Sequence, residues 1–228
     1  ALAALSSCTD DFVDTEPLDR ASVDTYWTSE INARAALSGV YESMYQVYGF
    51  EAQWGSELDA ITPNAFDNDN RDGQSAIARG LNDPDNVLVN KTWRVAFEGI
   101  GRANTLIENI DQVPMNEDLK ERFKAEAVFM WAFYYHNLTK FFGDVPLILE
   151  APNNNTQGQL PRTPKAEVVD AIINDLNMAA SILPENYPSS EAGRATKGAA
   201  LALKARVALY NERWPEAIDA SREVVNSG

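Results

Sequence analysis

TKGAALALKARVALYNERWPEAIDASREVV, residues 196–225, contains two helices and the turn between them. The first covers roughly Thr196 to Tyr210. It is dense in alanine, the residue that enters a helix at least cost. The second opens at Trp214-Pro215 and carries Ala217, Ile218, Val224 and Val225. Proline belongs at such a start, where its missing N–H has no partner to lose. Only Asn211 to Arg213 separate the two, so the helices must fold back on each other. Ala205 and Ala217, twelve apart, face across that tight turn. Their small side chains let the two backbones approach closely.

The spacing resembles a tetratricopeptide repeat, with Ala208 standing where the repeat usually has Tyr. The rest of the chain repeats the theme. From Ser29, a plausible N-cap, Ala33, Ala36, Leu37, Val40, Tyr41, Met44, Tyr45 and Tyr48 mark one apolar face of a helix. A second helix holds Trp93, Phe97, Ile100, Asn104, Ile107 and Ile110. A third spans about Glu117 to Phe142 and is stopped by Gly143. A fourth starts at Thr163-Pro164 and runs through Val168, Ile172, Leu176, Ala179 and Leu183. These six helices form three consecutive pairs. Residues 144–162, with Val145-Pro146-Leu147-Ile148-Leu149 and then Asn153-Asn154-Asn155-Thr156, read as a short extended piece and a loop. Phe50 to Asn90 has no helical period. It holds eight acidic and two basic residues, several asparagines, and Trp54 and Phe66 among them. Loops this long are functional or disordered more often than structural. The fold class is all-α: tetratricopeptide-like hairpins with one long irregular loop and short extended segments.

Composition narrows the chemistry. The 228 residues carry 34 Asp+Glu against 19 Lys+Arg, a net charge of −15. That argues against nucleic acid, where binding rests on neutralising phosphates, and against electrostatic docking on anionic lipid. One Cys and one His cannot build a Cys/His zinc site. No stretch reaches the roughly 20 apolar residues of a membrane span. The start, Ala1 to Ser7, is small and apolar, like the end of a secretory signal peptide. Leu5-Ser6-Ser7-Cys8 resembles a bacterial lipobox, in which the Cys is acylated, with palmitate for example, after cleavage. Attachment would then be by lipid, on a water-exposed body. The expected divisions are residues 1–7 as signal-peptide end, 8–28 as lipid-anchored segment, and 29–228 as helical domain.

Several segments together resemble the SusD-like (RagB/SusD) family of outer-membrane lipoproteins. They are Cys8 with Asp10, Asp11, Phe12 and Pro17, then Tyr26-Trp27 and Ala36-Leu37-Ser38-Gly39-Val40-Tyr41. Ala103-Asn104, Ala125-Glu126-Ala127, Phe133-Tyr134-Tyr135 and Phe142-Gly143-Asp144-Val145-Pro146-Leu147 continue the match. Gly193-Arg194-Ala195-Thr196-Lys197-Gly198-Ala199-Ala200 and the Trp214 hairpin complete it. The resemblance implies a cell-surface protein that captures nutrient, usually a glycan. It would pass that cargo to a SusC-like TonB-dependent outer-membrane transporter. It implies neither catalysis nor a cofactor. Asp10-Asp11 resembles the acidic signal for the outer face. Family members are much longer, so the chain is expected to be an N-terminal fragment lacking a C-terminal region.

A sugar site needs flat apolar faces for stacking and planar amides or carboxylates for adjacent hydroxyls. The 50–90 loop has that mixture, and in the resembled family it supplies part of the glycan site. The expected ligand residues are Trp54, Asp59, Asn64, Phe66, Asp67, Asn68, Asn70 and Arg71. Asn104, on an apolar face, is expected to tie its helix to a neighbouring loop backbone. His136 reads as structural. Asn68-Asp69-Asn70-Arg71-Asp72-Gly73 resembles a calcium loop, but Arg79 falls where a bidentate Glu belongs. Gly99-Ile100-Gly101 lies within a helix and lacks the context of a dinucleotide loop. Two rival readings are a tetratricopeptide-type lid or scaffold that binds only protein, and a carboxylate-based glycoside hydrolase. The helical hairpins disfavour the second.

Overall fold

The computed structural model describes residues 26–45, 58–66, 73–152 and 157–226. Its first long element, α1 (Glu30–Glu42), starts where Ser29 Oγ accepts the Asn32 backbone N–H. Ala33, Leu37 and Val40 form its buried stripe. The helix ends before Met44 and Tyr45, and Tyr45 is exposed, so the apolar period outruns the helix.

The segment expected to be aperiodic contains α2 (Gln74–Ala78) and the start of α3 (Val87–Asn109). This corrects the expected start at Trp93. Asn86 makes the difference. Its side-chain oxygen accepts the N–H groups of Leu88 and Val89, while its amide donates to the Gly73 carbonyl at 3.0 Å. Two orphan donors of the first turn are thereby satisfied. Gly73 is left-handed at φ 82°, and any Cβ there would strike the Asn86 amide.

Element α4 (Glu117–Phe142) has the bounds its sequence predicts. Asn116 caps it, and Gly143 at φ 69° stops it. Glu117 and Asp118 in the first turn and Lys140 in the last suit the helix dipole. Its central part is buried nearly all round, with Phe123, Met130, Tyr134, Tyr135 and Leu138 fully covered. It packs between α3 and α5 (Lys165–Ile182), and α1 lies across α3 and α4. Gly99 of α3 permits this approach, because a Cβ there would enter the Tyr134 ring. The Tyr134 hydroxyl then donates to the Val40 carbonyl of α1 at 2.9 Å.

Thr163, the expected start of the fourth helix, has another job. Its N–H donates to the Val145 carbonyl at 2.9 Å in an isolated antiparallel bridge, and Pro164 is the residue before α5. Among the described residues this bridge is the extent of β pairing. The extended piece that begins there is stapled to the helices. Asn104 donates to the carbonyls of Ile148 and Glu150, both at 3.0 Å. Tyr135 donates to the Pro146 carbonyl and accepts the Ile148 N–H at 2.7 Å.

The terminal hairpin is α6 (Lys197–Tyr210) and α7 (Trp214–Asn226). Thr196 caps α6 by accepting the Ala199 N–H. Glu212 takes a positive φ of 59° in the link, and the Arg213 N–H returns to the Ala208 carbonyl at 2.9 Å. Each helix from α3 onward packs on the next, an array of antiparallel hairpins. No helix among the described residues is long and apolar enough to cross a membrane.

Candidate functional site

At one end of the body, where α3 begins and α4 ends, the turn of residues 58–66 covers a cleft of about 310 Å3. Leu58 and Ile61 of the turn, Ile77, Leu88, Phe141 and Phe142 line it. Its floor continues into an aromatic ladder. Trp93 meets Phe142 edge-on at 5.1 Å and Phe97 at 4.8 Å, and Phe97 meets Tyr135 at 6.3 Å. The Arg162 guanidinium lies 5.9 Å over Trp93.

Asp59 and Asn64 share that turn. Thr62 joins them, donating its hydroxyl to the Asp59 carbonyl at 2.8 Å and accepting the Asn64 N–H at 3.2 Å. Both side chains are exposed, and the Phe66 ring is 83% exposed. An exposed ring on one segment with an amide and a carboxylate provides the group types that stack on a pyranose face and bind its hydroxyls. Trp54, Asp67, Asn68, Asn70 and Arg71 lie outside the described residues, as do positions 68–72 of the calcium-like loop and Cys8. Asn104 is buried well away from the turn, with its amide on the Ile148 and Glu150 carbonyls.

Three features escaped the sequence reading. A groove of about 560 Å3 runs between α1 and α3, bounded by Tyr26, Trp27, Gly39, Phe97, Arg102 and Pro152. Glycines and alanines inside both helices were its only sequence signal. Arg102 spans it, donating to the Gly39 carbonyl at 2.7 Å and pairing with Glu42 and Glu98.

The second feature is a buried charge cluster. The Glu126 carboxylate, fully covered, accepts from Tyr41 at 2.9 Å, Arg194 at 3.0 Å and Tyr187 at 3.3 Å. Burial pushes its carboxyl above the usual range, and the Arg194 charge opposes that push. Arg122 holds Glu191 with two hydrogen bonds of 2.8 and 3.0 Å. Arg34, Arg122 and Arg194 all lie 5.3–5.8 Å from the centre of the Phe123 ring.

The third is a basic face. His136 is buried, its ring 6.2 Å from that of Tyr210. Burial lowers its pKa to about 4, helped by the charges of Lys140, Arg206 and Lys165. Elsewhere Asp175 is raised to about 6 by burial.

An array of helical hairpins presenting apolar, aromatic-rich clefts defines a binding scaffold. Residues 11–209 match the SusD-like family described as starch-binding and associating with the outer membrane, and the chain belongs to that family. SusD-like protein P25 of Formosa agariphila is 25% identical over 96% of this chain and 43% of its own length. A SusD-like carbohydrate-binding protein from Bacteroides fragilis has a TM-score of 0.82 at 27% identity, over 90% of this chain and 42% of that one. A laminarin-binding SusD-like protein has a TM-score of 0.79 at 30% identity, over 87% of this chain and 44% of that one. The chain thus spans less than half the length of these relatives.

Proposed function

We propose that this chain is the N-terminal part of a surface protein that captures glycan and delivers it to a SusC-like TonB-dependent transporter. It is a binding protein and catalyses nothing. Residues 1–7 end a signal peptide, and Cys8 carries the lipid that holds residues 8–28 at the outer membrane, facing outwards. The 29–228 domain supplies one wall of the ligand site from its 50–90 loop. Trp54, Asp59, Asn64, Phe66, Asp67, Asn68, Asn70 and Arg71 are the contacts, and Asn104 is structural.

The observation that carries this reading is an exposed Phe66 on the same short segment as the exposed Asp59 and Asn64, in a member of a family described as starch-binding. A saccharide panel against the full-length protein, freed of everything up to Cys8, tests it by calorimetry. Binding that Phe66→Ala or Trp54→Ala weakens is expected. No binding to any saccharide, with a transporter still co-purifying, would replace it by a protein-binding lid.

A further inference from the structure

Phe141 belongs to the wall of the apolar cleft, and Lys140 beside it begins a different surface. Lys140 Nζ lies 4.8 Å above the Phe141 ring and 5.8 Å from the Tyr210 ring of α6. Tyr210 reaches back over His136, one turn before Lys140 on α4. Arg206, one turn before Tyr210, and Lys165, the first residue of α5, act on the same His136. Three helices therefore bring three cations round one imidazole. Lys140 and Arg206 are exposed. Among the described residues, no carboxylate pairs with the side chain of Lys140, Lys165 or Arg206.

The chain as a whole carries a net charge of −15. The arginines near Phe123 are paired with Glu126 and Glu191, and Arg102 with Glu42 and Glu98. Nearby acids are engaged elsewhere. Asp144 accepts the Lys165 backbone N–H at 2.8 Å, and Asp170 holds Arg213 at 2.5 Å. Helix dipoles account for Lys140, in the last turn of α4, where a cation is favoured. They do not account for Lys165, at the positive N-terminal end of α5, where a cation is disfavoured. An unpaired basic surface of this kind attracts anions.

We infer that the glycan taken up at this end of the molecule is acidic, its carboxylate or sulfate groups resting on Lys140, Lys165 and Arg206 while its rings occupy the adjoining cleft under the 58–66 turn. The inference rests on the glycan reading above and narrows it to a ligand class. An acidic polymer could lie on the basic face with its next residues at Phe141 and the cleft. Lysine provides a point charge and arginine a fork, and both suit carboxylate and sulfate oxygens.

The test uses full-length protein and two matched pairs. One is a sulfated galactan with its desulfated form. The other is polygalacturonate with its fully methyl-esterified form. At least one acidic member should bind about tenfold or more tighter than its neutral partner, the scale of one or two charge-assisted hydrogen bonds. The gain should vanish in Lys140→Gln/Arg206→Gln and shrink with added salt. Which pair responds distinguishes sulfate from carboxylate.

His136, the single histidine of the chain, supplies a second readout by NMR. A bound anion offsets the positive field, so the imidazole pKa should rise from about 4. Equal binding of charged and neutral partners, with Phe66→Ala weakening both, would overturn the inference and leave the glycan reading standing. Failure of every saccharide would remove both. Binding of polyglutamate but no saccharide would make the face a protein contact and overturn the inference.

Discussion

Around Phe123, three arginines meet two glutamates, and around His136 the cations Lys140, Lys165 and Arg206 meet no carboxylate among the described residues. The two clusters are made of similar residues. The first is largely buried, so each charge must find a partner or be neutralised. It clamps α1, α4 and the 187–195 segment together. The second is largely exposed, so water carries its charge, and it strains the buried His136. Charge inside this molecule fixes geometry, and charge left open on it is free to meet a ligand.

Removing the acid from the first cluster should have the largest effect. Glu126→Ala strands Arg194 and Arg122 over a fully covered position. A loss of about 3–5 kcal/mol in urea unfolding is expected, the scale for breaking a buried ion pair. A loss below about 1 kcal/mol would erase the distinction between the clusters.

Acid should act through the second cluster. The folded pKa of His136 is about 4, against an ordinary 6.5. The unfolded chain therefore binds more protons between these values. Stability from this group is fully present above 6.5 and is lost as pH falls towards 4. About 3 kcal/mol is at stake. His136→Gln should flatten that part of the stability–pH curve, and an unchanged curve would show that His136 is not held neutral.

Tyr41→Phe is a milder cut. The hydroxyl donates to Glu126 and accepts the Ala195 N–H, both at 2.9 Å. Its loss leaves buried groups short of a partner, at about 1–2 kcal/mol by thermal or urea unfolding. The smallest effect belongs to Lys140→Gln/Arg206→Gln, both exposed. Stability should change by less than about 0.5 kcal/mol, the usual range for surface positions. A large loss would make that face structural too.

Long periodic helices with a cap and a stop were fully legible. Gly143 stops α4 where the sequence predicts, and Asn116 caps it just before the predicted start at Glu117. The start of α3 was not, because Asn86 follows Asn82, Asp83, Pro84 and Asp85, and a capping asparagine looks like any other loop residue. Thr163 looks like a cap as well, and its use in the bridge to Val145 depends on a partner eighteen residues away. Asp59 and Asn64 could be chosen by type, but the Thr62 turn that joins them could not. Neither charge cluster has a local signature, because each collects residues from three or more separate elements.

The Tyr41 hydroxyl and the Ala195 N–H that it accepts are 154 positions apart along the chain. The hairpins from α3 to α7 join neighbours, which close quickly at little entropic cost. The Tyr41 clasp must wait for them. It is therefore expected to form after the rate-limiting barrier. In stopped-flow experiments Tyr41→Phe should hasten unfolding and leave the refolding rate nearly unchanged. A single phenolic oxygen would then set the lifetime of the folded surface rather than the speed at which it is made.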